Sequence, residues 1–161
     1  MKKMNSLVAI SLSCAVFCGA WTVLADKLGL VGWAGFAGCT TYFASGKHGF
    51  LGLKKTIIPN MTGVLCGMLI IILSDLVPVL GEIGVWCGIA SFVMCIITKY
   101  ELVDFCPGTF VGCFTTFAIG GNWRQLVVAL ICGAFLGFVC DLGGVVLQGD
   151  KRAVDTFFKR C

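Results

Sequence analysis

The sequence predicts an all-α membrane protein of six transmembrane segments, arranged as two inverted three-helix repeats. Three observations predict it. First, the 161 residues are 58% hydrophobic and only 12% charged, with a mean hydropathy of +0.99, whereas soluble domains carry about 25% charged residues. Lipid is the solvent that such a composition fits. Second, a phrase recurs 74 positions apart: residues 36–46 read FAGCTTYFASG and residues 110–120 read FVGCFTTFAIG. Third, the cations are one-sided. With the N-terminus inside, Lys2, Lys3, Lys47, Lys54, Lys55, Lys99, Lys151, Arg152, Lys159 and Arg160 fall on the cytoplasmic side, and only Lys27 and Arg124 fall outside. That is the asymmetry of a multi-pass protein with both termini cytoplasmic.

Six apolar segments follow in order. Segment one, 7–24, comes after Lys2-Lys3 and resembles a signal peptide as far as Val23-Leu24-Ala25. A shift of 74 maps it onto 81–98, however, so it reads as a retained span. Segments two (29–46) and five (105–120) contain the repeated phrase; they are the shortest and most glycine-rich. They fall below the ~20 residues that cross a ~30 Å hydrocarbon core, so they read as broken or re-entrant. Segment three, 56–74, contains Pro59. Segment four, 81–98, starts at an interfacial Glu82, and segment six is 126–147. Residues 65–75 and 131–141 match again at Cys66/Cys132, Gly67/Gly133 and Asp75/Asp141, now 66 apart, with the difference assigned to the loop at 48–55. Each half then holds three spans. Three is odd, so the second half runs the opposite way through the membrane. The expected layout is a single integral membrane domain over 1–161, with repeat one at about 5–76, repeat two at about 79–147 and a cytoplasmic tail at 148–161. The 22 glycines favour close helix packing, and no alternating ten-residue segments suggest a barrel.

The repeated phrase supplies the first candidate site. On a helix, Phe36, Phe43 and the edge residue Thr40 share a stripe opposite Thr41; in the second copy Phe110, Phe114 and Phe117 lie opposite Thr115. Aromatic constrictions with hydroxyls would suit a path for neutral solutes. The plainer reading is that phenylalanine packs, glycine permits contact and threonine bonds its own backbone. Either stripe could face a path. Asn60 and Thr62 follow Pro59, which removes a backbone donor; Asn60 either meets a solute or bonds the freed backbone. Asp75 and Asp141 are candidates for a mouth charge or proton site, or else pair with a lysine or a backbone donor. His48 is the single histidine, in the loop after the first phrase, and reads as solvated or as a pH sensor. Trp33 and Trp123 read as interface anchors.

Several classes are disfavoured. No Ser/His/Asp arrangement, phosphate-cradling loop or local metal-ligand spacing is present, so neither an enzyme, a cofactor nor a metal is expected. None of the eleven cysteines forms a C-x-x-C, and they read as small packing residues. No basic face interleaved with aromatics suggests nucleic acid.

The paired F-x-G-C-x-T-x-F-A-x-G phrases, the P-N-x-x-G start of segment three and the overall size resemble a small bacterial inner-membrane family of unknown function, the YcdZ-like proteins. The resemblance covers nearly the whole chain and implies a multi-pass inner-membrane protein, with no substrate supplied. More loosely, the six-span inverted layout looks like that of formate/nitrite channels, and phenylalanine-lined slots look like those of urea channels. The expected function is an inner-membrane channel or facilitator for a small, mostly neutral solute, with the path between the repeats. The alternatives are a proton-coupled transporter using Asp75 or Asp141, and a non-transporting scaffold. The expected partners are the lipid bilayer, the small-molecule solute and further copies of the chain, since so thin a bundle has glycine-rich faces to pack between subunits.

Overall fold

The computed structural model describes residues 4–77 and 83–149, together with Val154 and Phe157. Glu82, Lys2, Lys3 and most of the 148–161 tail lie outside the described residues. Among the described residues there are six α-helices: α1 (Ser6–Lys27), α2 (Gly32–Ala44), α3 (Gly49–Leu76), α4 (Ile83–Ile96), α5 (Cys106–Ala118) and α6 (Trp123–Leu147), with two short 3₁₀ turns at Ile97–Lys99 and Glu101–Val103. Each corresponds to one predicted segment. Asn5 caps α1, its side-chain oxygen accepting from the Leu7 N–H at 3.0 Å. Both copies of the repeated phrase stop at the same letter: Gly46 and Gly120 each adopt φ +63°, a left-handed conformation that glycine takes without a Cβ clash and that ends a helix.

Among the described residues, three helices, α1, α3 and α6, are long and apolar enough to cross a membrane. The 28 residues of α3 extend about 42 Å at 1.5 Å per residue. It starts at Gly49, a full two turns before the predicted 56, and so absorbs Lys54 and Lys55 into helix. The 13 residues of α2 reach only about 20 Å, and α5 is equally short. Both were expected to be short and broken or re-entrant. They are short, but each is one continuous helix, because their glycines serve contact between helices and leave the backbone path unbroken.

The long helices α3 and α6 form the centre. Around them, α2 and α1 pack on α6, while α5 and α4 pack on α3. Each short helix therefore leans on the long helix of the opposite half. Glycine sets the distance. A Cβ placed on Gly133 would overlap the Gly35 carbonyl, and one on Gly38 the Leu130 carbonyl. In the other half a Cβ on Gly63 would overlap the Thr109 carbonyl, and one on Gly112 the Asn60 carbonyl. One turn further along, a Cβ on Gly137 would lie 2.7 Å from Tyr42 Cβ, and one on Gly67 2.8 Å from Thr116 Cβ.

These contacts correct the second sequence match. Tyr42 and Thr116 are 74 apart, as the repeated phrase requires, but their glycine partners Gly67 and Gly137, like Gly63 and Gly133, are 70 apart. The letters had aligned at 66. A slip of four residues keeps nearly the same helix face, so Cys66-Gly67 still resembled Cys132-Gly133 when read one turn out. Asp75 is consequently not the counterpart of Asp141; Ile71 holds that position.

The distribution of side chains is inside-out relative to a soluble protein. Leu7 (71% exposed), Phe92 (67%) and Leu65 (65%) face outward, while Thr41, Thr56, Asn60, Thr109, Thr115, Thr116 and Asp141 are buried. Exposed apolar faces of this extent mark a surface meant for lipid.

Gly133→Ala and Gly112→Ala should each destabilise the fold by about 1–3 kcal/mol, since backbone atoms occupy the space a methyl needs. Gly88→Ala, with nothing within 4 Å of its Cβ position, should be neutral or stabilising by up to about 1 kcal/mol from helix propensity. Unfolding titrations in mixed micelles measure both.

Candidate functional site

The buried face of α2 consists of Ala34, Gly35, Gly38, Cys39, Thr41 and Tyr42, and that of α5 of Gly108, Thr109, Gly112, Cys113, Thr115 and Thr116. The glycine–threonine stripe therefore faces the neighbouring helices, and the aromatic stripe turns away. Phe36 and Phe110 are both 37% exposed and Phe114 is 56% exposed. Thr40 is exposed, and Phe43 and Phe117 are half-buried. The buried hydroxyls are already used: Thr41 donates to the Ala37 carbonyl at 2.9 Å and Thr115 to the Val111 carbonyl at 2.7 Å. Thr62, half-buried, donates to Ile58 at 2.9 Å. A groove between α3 and α6 is lined by Met61, Val64, Leu65, Met68, Ile72, Trp123 and Val127, none of them from the paired phrases.

Asn60 is different. It is fully buried, and neither its amide nitrogen nor its carbonyl oxygen has a hydrogen-bond partner. It does not bond backbone freed by Pro59. It occupies the middle of the buried face of α3, where Gly112 lies against its own carbonyl. An unmade hydrogen bond on a buried polar group costs about 1–3 kcal/mol, so a native protein keeps such a group only where something else meets it.

The second polar centre forms where α2 ends, α3 begins and α6 ends. Asp141 is only 2% exposed. Its Oδ2 accepts from the Tyr42 hydroxyl at 2.8 Å, and His48 Nδ1 lies 2.9 Å from Oδ2 and 3.1 Å from Oδ1. The expected lysine or backbone donor is replaced by a phenol and an imidazole. Local packing aims them: Tyr42 fits between Gly137 on α6 and Gly52 on α3, whose Cβ positions would lie 2.7 Å and 2.9 Å from its atoms. His48 is the residue preceding α3, and its side chain is 55% exposed. It is thus neither simply solvated nor buried, and joins an inner carboxylate to the outside. Asp75 is exposed at the far end of α3. Beside the same end as His48, Lys55 (8% exposed) pairs with Asp104 at 2.6 Å and donates to the Glu101 carbonyl. The sequence offered no sign of Lys55, because it read as one more loop cation.

A third cluster escaped the sequence altogether. The sulfurs of Cys18 on α1, Cys39 on α2 and Cys140 on α6 all lie within 4.8 Å of one another. No local spacing could reveal them, because each comes from a different helix.

A helical bundle with apolar outer faces and a polar interior defines a membrane protein. Residues 11–145 match the family described as protein of unknown function DUF1097, and the chain belongs to it. It is 40% identical to "Inner membrane protein YcdZ" of Escherichia coli (strain K12) over 145 residues, 89% of this chain and 89% of that protein. It is 39% identical to "Inner membrane protein YcdZ" of Salmonella typhimurium (strain LT2) over 150 residues, 92% of this chain and 94% of that protein. "Uncharacterized protein YahC" of Escherichia coli (strain K12) is 25% identical over 159 residues, 90% of this chain and 94% of that protein. No solved structure matches. The family resemblance carried by the paired phrases is thus confirmed.

Tyr42→Phe should destabilise the protein by about 1–3 kcal/mol, because it leaves a buried carboxylate oxygen without its donor. His48→Ala should cost less, since water reaches that position. Thermal unfolding in detergent compares the two variants.

Proposed function

We propose that the chain is a six-span inner-membrane carrier for a small, mostly neutral solute, with both termini cytoplasmic, the two halves inverted and Asp141 at the cytoplasmic mouth. The observation that carries this reading is Asn60, buried at the centre with both polar atoms unpartnered. A carboxamide presents a donor and an acceptor side by side. Its complement is a small amide, a urea-like molecule or a neutral carboxylic acid, each able to make two hydrogen bonds at once. The half-lined site at the middle of the bilayer is where duplicated transporters bind their solutes. The glycine contacts close the path in this conformation, which favours alternating exposure over an open channel. Of the two carboxylates, Asp141 is the one suited to proton coupling, because it is buried and reaches water through His48. The exposed apolar faces support self-association in the bilayer. The sealed interface is also what a non-transporting scaffold would show, and one assay separates the two.

Proteoliposomes should take up a small amide, alcohol, aldehyde or monocarboxylate. Asn60→Leu, which installs the side chain already found at the equivalent position, Leu130, should fold yet lower uptake by about tenfold or more. A pH gradient should drive accumulation in the native protein but not in Asp141→Asn. Uptake of no such solute, or unchanged uptake by Asn60→Leu, overturns the carrier.

A further inference from the structure

The meeting point of α1, α2 and α6 is built as a sulfur site. Cys18, Cys39 and Cys140 bring three sulfurs within 4.8 Å of one another. Cys39 and Cys140 are buried, and Cys18 is half-buried at the seam between α1 and α6. Cysteine sulfurs about 2.3 Å from a shared metal ion sit about 4 Å apart in a trigonal plane, so small side-chain movements would complete the geometry. Trp21, Ala25 and Leu136 surround the cluster and exclude water. The backbone beneath it is pinned, since the Ser13 hydroxyl donates to the Cys140 carbonyl at 2.7 Å and ties α1 to α6.

We propose that this cluster binds one cuprous ion. The donor set decides the class: three sulfurs, with no imidazole or carboxylate among the ligands, select a soft d¹⁰ cation. The number decides the ion. Zinc in structural sites takes four ligands in a tetrahedron, whereas three sulfurs are a full set for copper(I). The sulfurs bind as thiolates, so each of the three thiols releases its proton when the ion enters. Cys14, one turn before Cys18 and packed against the same cluster, would be the fourth sulfur if zinc were the resident ion. The other half supplies a control. Cys66, Cys87 and Cys113 pack around an equivalent corner, but no second set of three such groups converges among the described residues.

The full chain in nanodiscs, reduced and kept anaerobic, is titrated with copper(I) in competition with bicinchoninate. The expected result is one copper(I) per chain, an X-ray absorption spectrum with a shell of sulfur alone, and a raised unfolding temperature in the copper(I)-loaded protein. Cys39→Ser and Cys140→Ser should lower the affinity by about 100-fold or more, and Cys87→Ser should leave it unchanged. Should the buried variants fail to fold, Cys18→Ala at the half-buried position serves as the ligand deletion. Retention of no stoichiometric copper, equal retention by Cys18→Ala, or tighter binding of zinc(II) that depends on Cys14 overturns the assignment.

Discussion

Backbone-to-backbone contact between short and long helices is the constraint on which the rest of the molecule rests. Gly35 and Gly38 lie against Leu130 and Gly133, and Gly112 and Gly63 lie against Asn60 and Thr109. Lipid offers little hydrophobic gain for bringing helices together, so surface area at close range must supply it. Everything polar in the interior follows from this closeness. Threonine hydroxyls fold back on their own helices because no space separates the neighbours. Tyr42 reaches Asp141 because Gly137 and Gly52 make room for its ring. The cysteines of α1 and α2 meet Cys140 because α6 receives both helices.

The existence and order of the six described helices were legible from the apolar segments. So was the importance of the repeated phrase. The facing of its two stripes was not, because Phe36 and Phe110 are as much at home in lipid as in a core, and hydropathy alone does not distinguish those solvents. The offset between halves was misread by one turn, since a helix slipped by four residues shows almost the same face. The Asp141 site was half legible. The carboxylate stood out as an intramembrane charge, but its partners Tyr42 and His48 lie 99 and 93 positions away, and nothing local announces them. The sulfur cluster was invisible for the same reason, compounded by a composition so rich in cysteine that no single one drew notice.

Asn60 and Asp141 represent two different solutions to the problem of polarity in an apolar medium. Asp141 is satisfied within the protein, by two donors held in fixed positions. Asn60 is not, and its equivalent in the other half is the apolar Leu130. A group that the fold leaves unsatisfied is poised for something that arrives from outside, while a group that the fold satisfies holds elements together. The proposed carrier needs one of each.

The one-turn offset also means that the two halves, however closely their phrases agree, are not interchangeable. Where one half sets Tyr42 against Asp141, the corresponding positions of the other hold Thr116 and Ile71. Two antiparallel halves of equal sequence would present the same face to both sides of a bilayer, and a chain inserted backwards would work as well as one inserted correctly. Among the described residues, only one end holds such a buried titratable cluster. The repeated phrases set how α2 and α5 pack, and the departure from repetition leaves the Tyr42–Asp141–His48 cluster at one end of the bundle.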